Sequence, residues 1–160
     1  MIKIQDELLS DDTKFKNILV PLDGSEYSLK ALEYAYLMAK GFNAKLTSLY
    51  VIPSSIRYNS LLNKENAEIN SSFKQIIQVS YIEAQKWLKG ITQKRDIEIV
   101  TEVIIAEESI VSEIIEFAER KKIDLIIMGT MGRTGFKKIL LGSVASAVVT
   151  YSHCPVLVIR

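Results

Sequence analysis

Residues Asp124–Val144, DLIIMGTMGRTGFKKILLGSV, decide the fold. The apolar run Leu125-Ile126-Ile127-Met128 suits a strand buried on both faces of a parallel sheet. Gly129, Gly132 and Gly135 follow at a spacing of three. After a basic, hydrophobic connection come Gly142 and Ser143, and then Val144-Ala145-Ser146-Ala147-Val148-Val149, which reads as a helix. A buried strand that empties through glycines onto a helix N-terminus is an arrangement for holding an anion. Small residues let main-chain N–H groups approach a phosphate closely. The first helical turn adds donors without intrahelical acceptors and a partial positive charge. The stretch therefore predicts a nucleotide-phosphate cradle between a fourth strand and a last helix.

Working outward, the strand–turn–helix pattern recurs. Asn17-Ile18-Leu19-Val20 reads as a strand stopped by Pro21, Asp23-Gly24-Ser25 as a turn, and Ser25 as the N-cap of the next helix. Leu29, Leu32, Ala35, Tyr36 and Ala39 share one face of that helix, and Gly41 is expected to end it. Leu46 to Ile52 is a second strand closed by Pro53, followed by a polar connection to about Asn63. A long amphipathic helix carries Phe73, Ile76, Ile77, Ser80, Tyr81, Ala84, Trp87 and Leu88 on one stripe, with Gly90 as its end. Ile97 to Ile105 gives a third strand, Ile110, Ile114, Phe117 and Ala118 a third helix, and Val156–Ile159 a last strand. Strands alternating with helices imply a doubly wound, parallel α/β sheet with right-handed crossovers. Ligands in such sheets sit beyond the carboxyl ends of the strands, where strand order reverses. The turn Pro21–Ser25 and the loop Gly129–Gly142 both fall on that edge. Residues 1–15 are expected to form an N-terminal extension and residues 16–160 one nucleotide-binding domain.

Gly129-x2-Gly132-x9-Gly142-Ser143 resembles the nucleotide-binding signature of the universal stress protein family, in its ATP-binding branch. Ile18-Leu19-Val20-Pro21-Leu22-Asp23-Gly24-Ser25 is similar to that family's first strand and turn, and Cys154-Pro155-Val156-Leu157-Val158-Ile159 to its last strand. The resemblance runs from about Lys16 to Arg160. One departure is Ala106-Glu107-Glu108, where the family has Gly-x-Pro after the third strand. The resemblance implies a Rossmann-like, five-stranded parallel sheet with helices on both faces, in strand order 3-2-1-4-5. It also implies an ATP-binding regulatory protein of the stress response that acts as a nucleotide-dependent homodimeric switch. ATP would carry Mg or Mn on its phosphates, and the dimer would join through Val156, Leu157, Val158 and Ile159. The implied nucleotide site is Pro21, Leu22, Asp23, Val51, Met128, Gly129, Gly132, Arg133, Gly142, Ser143 and Val144.

Each of these residues also has a plainer reading. Asp23 either accepts hydrogen bonds from the base or ribose or stabilises its own turn. Gly129 and Gly132 serve either a phosphate or tight strand-to-helix packing. Val51 and Met128 line an adenine pocket or belong to the core, and Ser143 caps its helix or holds phosphate. Arg133, Lys137 and Lys138 attract phosphate or decorate a solvated basic loop.

Composition excludes several classes. At 48% hydrophobic and 24% charged, 160 residues make one ordinary globular domain with room for a core. Twenty Lys plus Arg against nineteen Asp plus Glu create no field favouring nucleic acid or an anionic membrane. No apolar run reaches the roughly 20 residues that cross a bilayer, and a single cysteine fits a reducing compartment; a cytoplasmic protein is expected. There is no G-x-x-x-x-G-K-[ST], no G-x-G-x-x-G after the first strand, and no Ser-His-Asp set. His153 and Cys154 are adjacent in the approach to the last strand and read as structural. The expectation is therefore a binding module and not an enzyme, the alternative being a slow ATPase or nucleotidyl transferase with Asp23 as the obvious carboxylate. ATP, AMP and cyclic nucleotides all suit the cradle.

Overall fold

A computed structural model describes residues 15–53, 67–93, 95–131 and 141–160. The elements run β1 (Asn17–Pro21), α1 (Glu26–Phe42), β2 (Lys45–Ile52), α2 (Ala67–Thr92), β3 (Ile99–Ile105), α3 (Ile110–Arg120), β4 (Leu125–Gly129), α4 (Ser143–Tyr151) and β5 (Val156–Ile159). The five strands form one parallel sheet in the order β3-β2-β1-β4-β5, the order expected.

Side-chain alternation along the strands divides the core in two. Ile18 and Val20 of β1, Leu46 of β2, and Leu125 and Ile127 of β4 face α1 and α2, packing on Ala31, Leu32, Ala35, Ala84 and Leu88. Leu19, Leu49, Val51, Ile126 and Met128 face the other way, against Ile114, Phe117 and Ala118 of α3 and Ala145 and Val148 of α4. Ile18, Leu19 and Val20 are wholly buried, which is why β1 reads as an unbroken apolar run.

Local differences from the sequence reading have local causes. α1 runs past Gly41 to Phe42, and its C-cap is Asn43 in the left-handed region (φ 54°). Asparagine tolerates that conformation, and its N–H reaches the carbonyls of Ala39 and Lys40. Likewise α2 continues beyond Gly90 to Thr92, whose hydroxyl bonds back to the Leu88 carbonyl at 2.9 Å. Leu29 lies on the outside of α1, and the small residues Ser28 and Ala31 take the buried positions, bringing the helix close to the sheet. Ile76 is likewise exposed on α2. β2 begins one residue early at Lys45, and β3 starts at Ile99 and not at Ile97, just after a segment in which Arg95 and Asp96 pin to α1. There Arg95 forms a bidentate pair with Glu33 and lies over the Tyr36 ring, while Asp96 bonds to Tyr36 and Lys40. Among the described residues no helix is long and apolar enough to cross a membrane.

Candidate functional site

β1 lies between β2 and β4, so the chain reverses its direction of winding at the carboxyl ends of β1 and β4. Three segments meet there. After Pro21, Leu22 N–H donates to the Leu49 carbonyl (2.8 Å), a tie from this chain segment to β2. Main-chain groups alternate sides along a strand, so those of Val51 face the same way as Leu49's, past the last β1–β2 pair, Pro21↔Leu49. Next comes the turn. Asp23 Oδ1 accepts from Ser25 N–H (3.0 Å), Gly24 takes a φ of +83°, and the Ser25 side chain caps α1 by accepting from Ser28 N–H (3.2 Å). Ser25 is thus the N-cap its position predicts, and Asp23 does stabilise its own turn.

The third segment joins β4 to its neighbours. Thr130 N–H donates to the Ile159 carbonyl (2.8 Å), its carbonyl accepts from Gly142 N–H (2.6 Å), and Ser25 Oγ donates to the Met131 carbonyl (3.3 Å). Residues 130 and 131 therefore tie together the end of β5, the start of α4 and the start of α1. Gly142, not Ser143, is the N-cap of α4, and as a glycine it supplies no side-chain cap bond. The first intrahelical bond runs from Ser146 N–H to the Gly142 carbonyl (2.9 Å), leaving Ser143, Val144 and Ala145 N–H without intrahelical acceptors.

These segments enclose a cavity of about 290 Å³. Pro21, Leu22, Asp23, Val51, Met128, Gly129, Gly142, Ser143 and Val144 all line it, so nine sequence-selected residues from four separate segments are brought together. Gly132 and Arg133 lie outside the described residues, as do Gly135, Lys137 and Lys138. Of the two readings of Gly129, the packing one has a direct contact behind it. A Cβ there would lie 2.7 Å from the Tyr27 carbonyl carbon and 2.9 Å from Ser28 N, so its bare face is turned to α1 and allows close helix-to-strand packing. Sequence reasoning missed Ser28, Leu49, Ile110, Ile114, Thr130, Met131 and Ala145 as lining residues. Ile110 and Ile114 had a signal, their periodicity, but it speaks equally for core. Thr130 had none.

The cavity is lined by the apolar side chains of Leu49, Val51, Ile110, Ile114 and Met128 and by the amino end of α4, whose N-cap Gly142 offers no side-chain bond. Such a site suits a flat apolar group joined to an anion. A buried hydroxyl in the wall, Thr130 Oγ1, has no protein partner. Asp23 is the one carboxylate among the described lining residues, and those residues contain no cluster of His, Cys, Asp or Glu able to hold a metal. His153 and Cys154 sit at the opposite edge of the sheet, where His153 Nε2 lies 3.0 Å from the Ile123 carbonyl oxygen and burial pushes the Cys154 thiol up. The loop at Ala106-Glu107-Glu108 is closed locally. Ala106 N–H bonds Ile52, Glu107 N–H bonds the Glu113 carboxylate (2.7 Å), and Ser109 with Ser112 forms a capping box for α3.

The model of the universal stress protein family matches residues 14–160. The chain belongs to that family. It is 40% identical over 146 residues to universal stress protein MJ0531 of Methanocaldococcus jannaschii, spanning 91% of this chain and 82% of that protein. The solved structure of UspA from Lactobacillus plantarum superposes with a TM-score of 0.76 at 25% identity, covering 92% of this chain and 99% of that one. A universal stress protein from Archaeoglobus fulgidus, solved in complex with dAMP, shares the fold with a TM-score of 0.62 at 20% identity, over 91% and 98% of the two chains.

Proposed function

We propose that this universal stress protein is an ATP-binding regulatory protein, a homodimer whose nucleotide sets its conformation and partners. The carrying observation is the cavity at the reversal of strand order, lined both by apolar side chains and by the first turn of α4. In this reading the adenine lies against Val51 and Met128, with the Val51 main chain available to its edge. The phosphates sit on the amides of Ser143 and Val144, and Asp23 faces the ribose. Mg²⁺ or Mn²⁺ travels on the phosphates, since the described wall has one carboxylate to offer. The complex of the Archaeoglobus fulgidus relative with dAMP supports an adenine nucleotide as the ligand class. The dimer reading rests on β5, an edge strand paired only with β4 among the described residues and flanked by exposed Val149, Tyr151 and Leu157.

The test is the nucleotide retained through native purification, identified by mass spectrometry after denaturation, together with calorimetric titration of ATP, AMP and cAMP. Near-stoichiometric adenine nucleotide is expected. The informative variant is Gly142→Asp. At φ −68° and ψ 157° the N-cap geometry accepts aspartate, whose carboxylate would take the α4 amides for itself. Stability should hold or rise by a few tenths of a kcal/mol while nucleotide binding disappears. A Gly142→Asp protein that binds ATP normally would refute the cradle. Steady phosphate release by wild type above that variant would instead favour the slow ATPase.

A further inference from the structure

Thr130, one of the residues lining the cavity, has a side-chain hydroxyl that the protein leaves unsatisfied. Thr130 Oγ1 is closed from water and has no hydrogen-bond partner, in a residue only 8% exposed. Native structures seldom bury a hydroxyl unpaired without a use for it, because it gives up water and receives nothing. Nothing in the fold demands a hydroxyl here. Thr130 follows the apolar strand β4, and its structural ties to Ile159 and Gly142 are made by the main chain. Valine, β-branched and of the same shape, would serve those ties equally well.

The location identifies the missing partner. The 2.6 Å bond from Gly142 N–H to the Thr130 carbonyl fixes Thr130 against the first turn of α4, where the Ser143, Val144 and Ala145 amides need acceptors. A ligand that suits three amide donors and a hydroxyl donor together is a group made of acceptors, with several oxygens and a negative charge. That describes a phosphoryl group, and a ribose hydroxyl does not match it. Rotation about one side-chain bond exchanges a threonine's hydroxyl and methyl, so the donor can swing without main-chain movement.

We propose that Thr130 is a phosphate-binding residue of this site, its buried, unpaired hydroxyl donating to a phosphoryl oxygen seated on the first turn of α4. This rests on the nucleotide reading above and deepens it by assigning the hydroxyl to the phosphate. The experiment compares Thr130→Val and Thr130→Ser with wild type in titrations of ATP, AMP and adenosine, and in thermal melts of nucleotide-stripped protein. Thr130→Val should weaken ATP and AMP by roughly ten- to a hundredfold, the usual worth of a hydrogen bond to a charged group. Adenosine should bind about as before, and Thr130→Ser should restore most of the loss. The stripped Thr130→Val protein should melt at the wild-type temperature or roughly 2–4 °C above it, having shed an unsatisfied hydroxyl.

A lower melting point with unchanged affinity would overturn the proposal, since the hydroxyl would then be holding the fold. Equal losses for adenosine and ATP would overturn it too, because the contact would be with the nucleoside. If wild type binds none of the three, the nucleotide reading itself fails, and that outcome is separate from a wild type that binds while Thr130→Val binds equally well.

Discussion

Gly129→Ala should destabilise the protein markedly, although the change adds a single methyl group at the end of a strand. The added Cβ would stand 2.7 Å from the Tyr27 carbonyl carbon, 2.8 Å from Tyr27 Cβ and 2.9 Å from Ser28 N. Carbon atoms prefer about 3.5–4.0 Å, so β4 and the first turn of α1 must separate by the better part of an ångström. Two of those three atoms are main chain and cannot rotate away. Overpacking of this kind costs about 1–3 kcal/mol, and backbone contact places it toward the upper end. Alanine offsets about 0.5 kcal/mol by restricting the unfolded chain, leaving a net loss near 2 kcal/mol. For a domain of this size that is a fall of roughly 4–8 °C in melting temperature. Gly41→Ala is the matched control, because nothing lies within 4 Å of a Cβ there. Alanine in that helical position should gain about 0.5–1 kcal/mol. Both variants are read by calorimetric or fluorescence melts, with the single tryptophan, Trp87, as the native probe. A Gly129→Ala protein as stable as wild type would refute the argument that this glycine exists for contact with α1.

Three further outcomes follow from the geometry. Gly24 holds φ at +83° with its would-be Cβ an ordinary 3.8 Å from Trp87, so Gly24→Ala should cost about 1–2 kcal/mol through the backbone alone, seen as a lower denaturant midpoint with an unchanged slope. The Arg95 guanidinium beside Glu33 holds that carboxyl below its ordinary value, and Lys40 with Tyr36 does the same for Asp96. Carboxylates depressed by folding stabilise above their unfolded pKa and lose that contribution as pH falls through the folded one. The stability difference between wild type and Arg95→Ala should therefore be full at pH 7 and shrink below about pH 4; a difference that grows in acid would contradict the pairing. Leu157→Lys places a charge on the edge strand β5, where Leu157 is 36% exposed, and should convert a dimer to monomers by light scattering without unfolding it. A dimer that survives the change does not use this edge.

What was legible in the sequence, and what was not, divides along a physical line. Ile18–Val20 and Leu125–Met128 are strands buried on both faces, so burial writes itself into consecutive letters. The helices follow from stripes of period 3.6, and the reversal of strand order follows from strands alternating with helices. Those features put Asp23, Gly142 and Ser143 at one end of the sheet, and the family resemblance added Val51 and Met128; all five line one cavity. Single positions fixed by distance between remote segments were not legible. Asn43 caps α1 because its own φ is 54°, and no periodicity separates it from nearby Gly41. Gly129 was open to two readings, an anion or helix packing, and only distance shows that its bare face meets Tyr27, where α1 is tied through Ser25 to Met131. Thr130 is the plainest case: an isolated threonine after a strand belongs to no pattern. Its importance comes from the carbonyl of Ile159 on one side and the amide of Gly142 on the other, both placed by later parts of the chain. The glycine spacing thus points to the segment after β4, while the donors of the proposed cradle are set by β5 and α4 closing on the end of β4. A substitution in β5 that shifts Ile159 should for that reason disturb the phosphate end of the cavity through Thr130, with no change to any glycine of the signature.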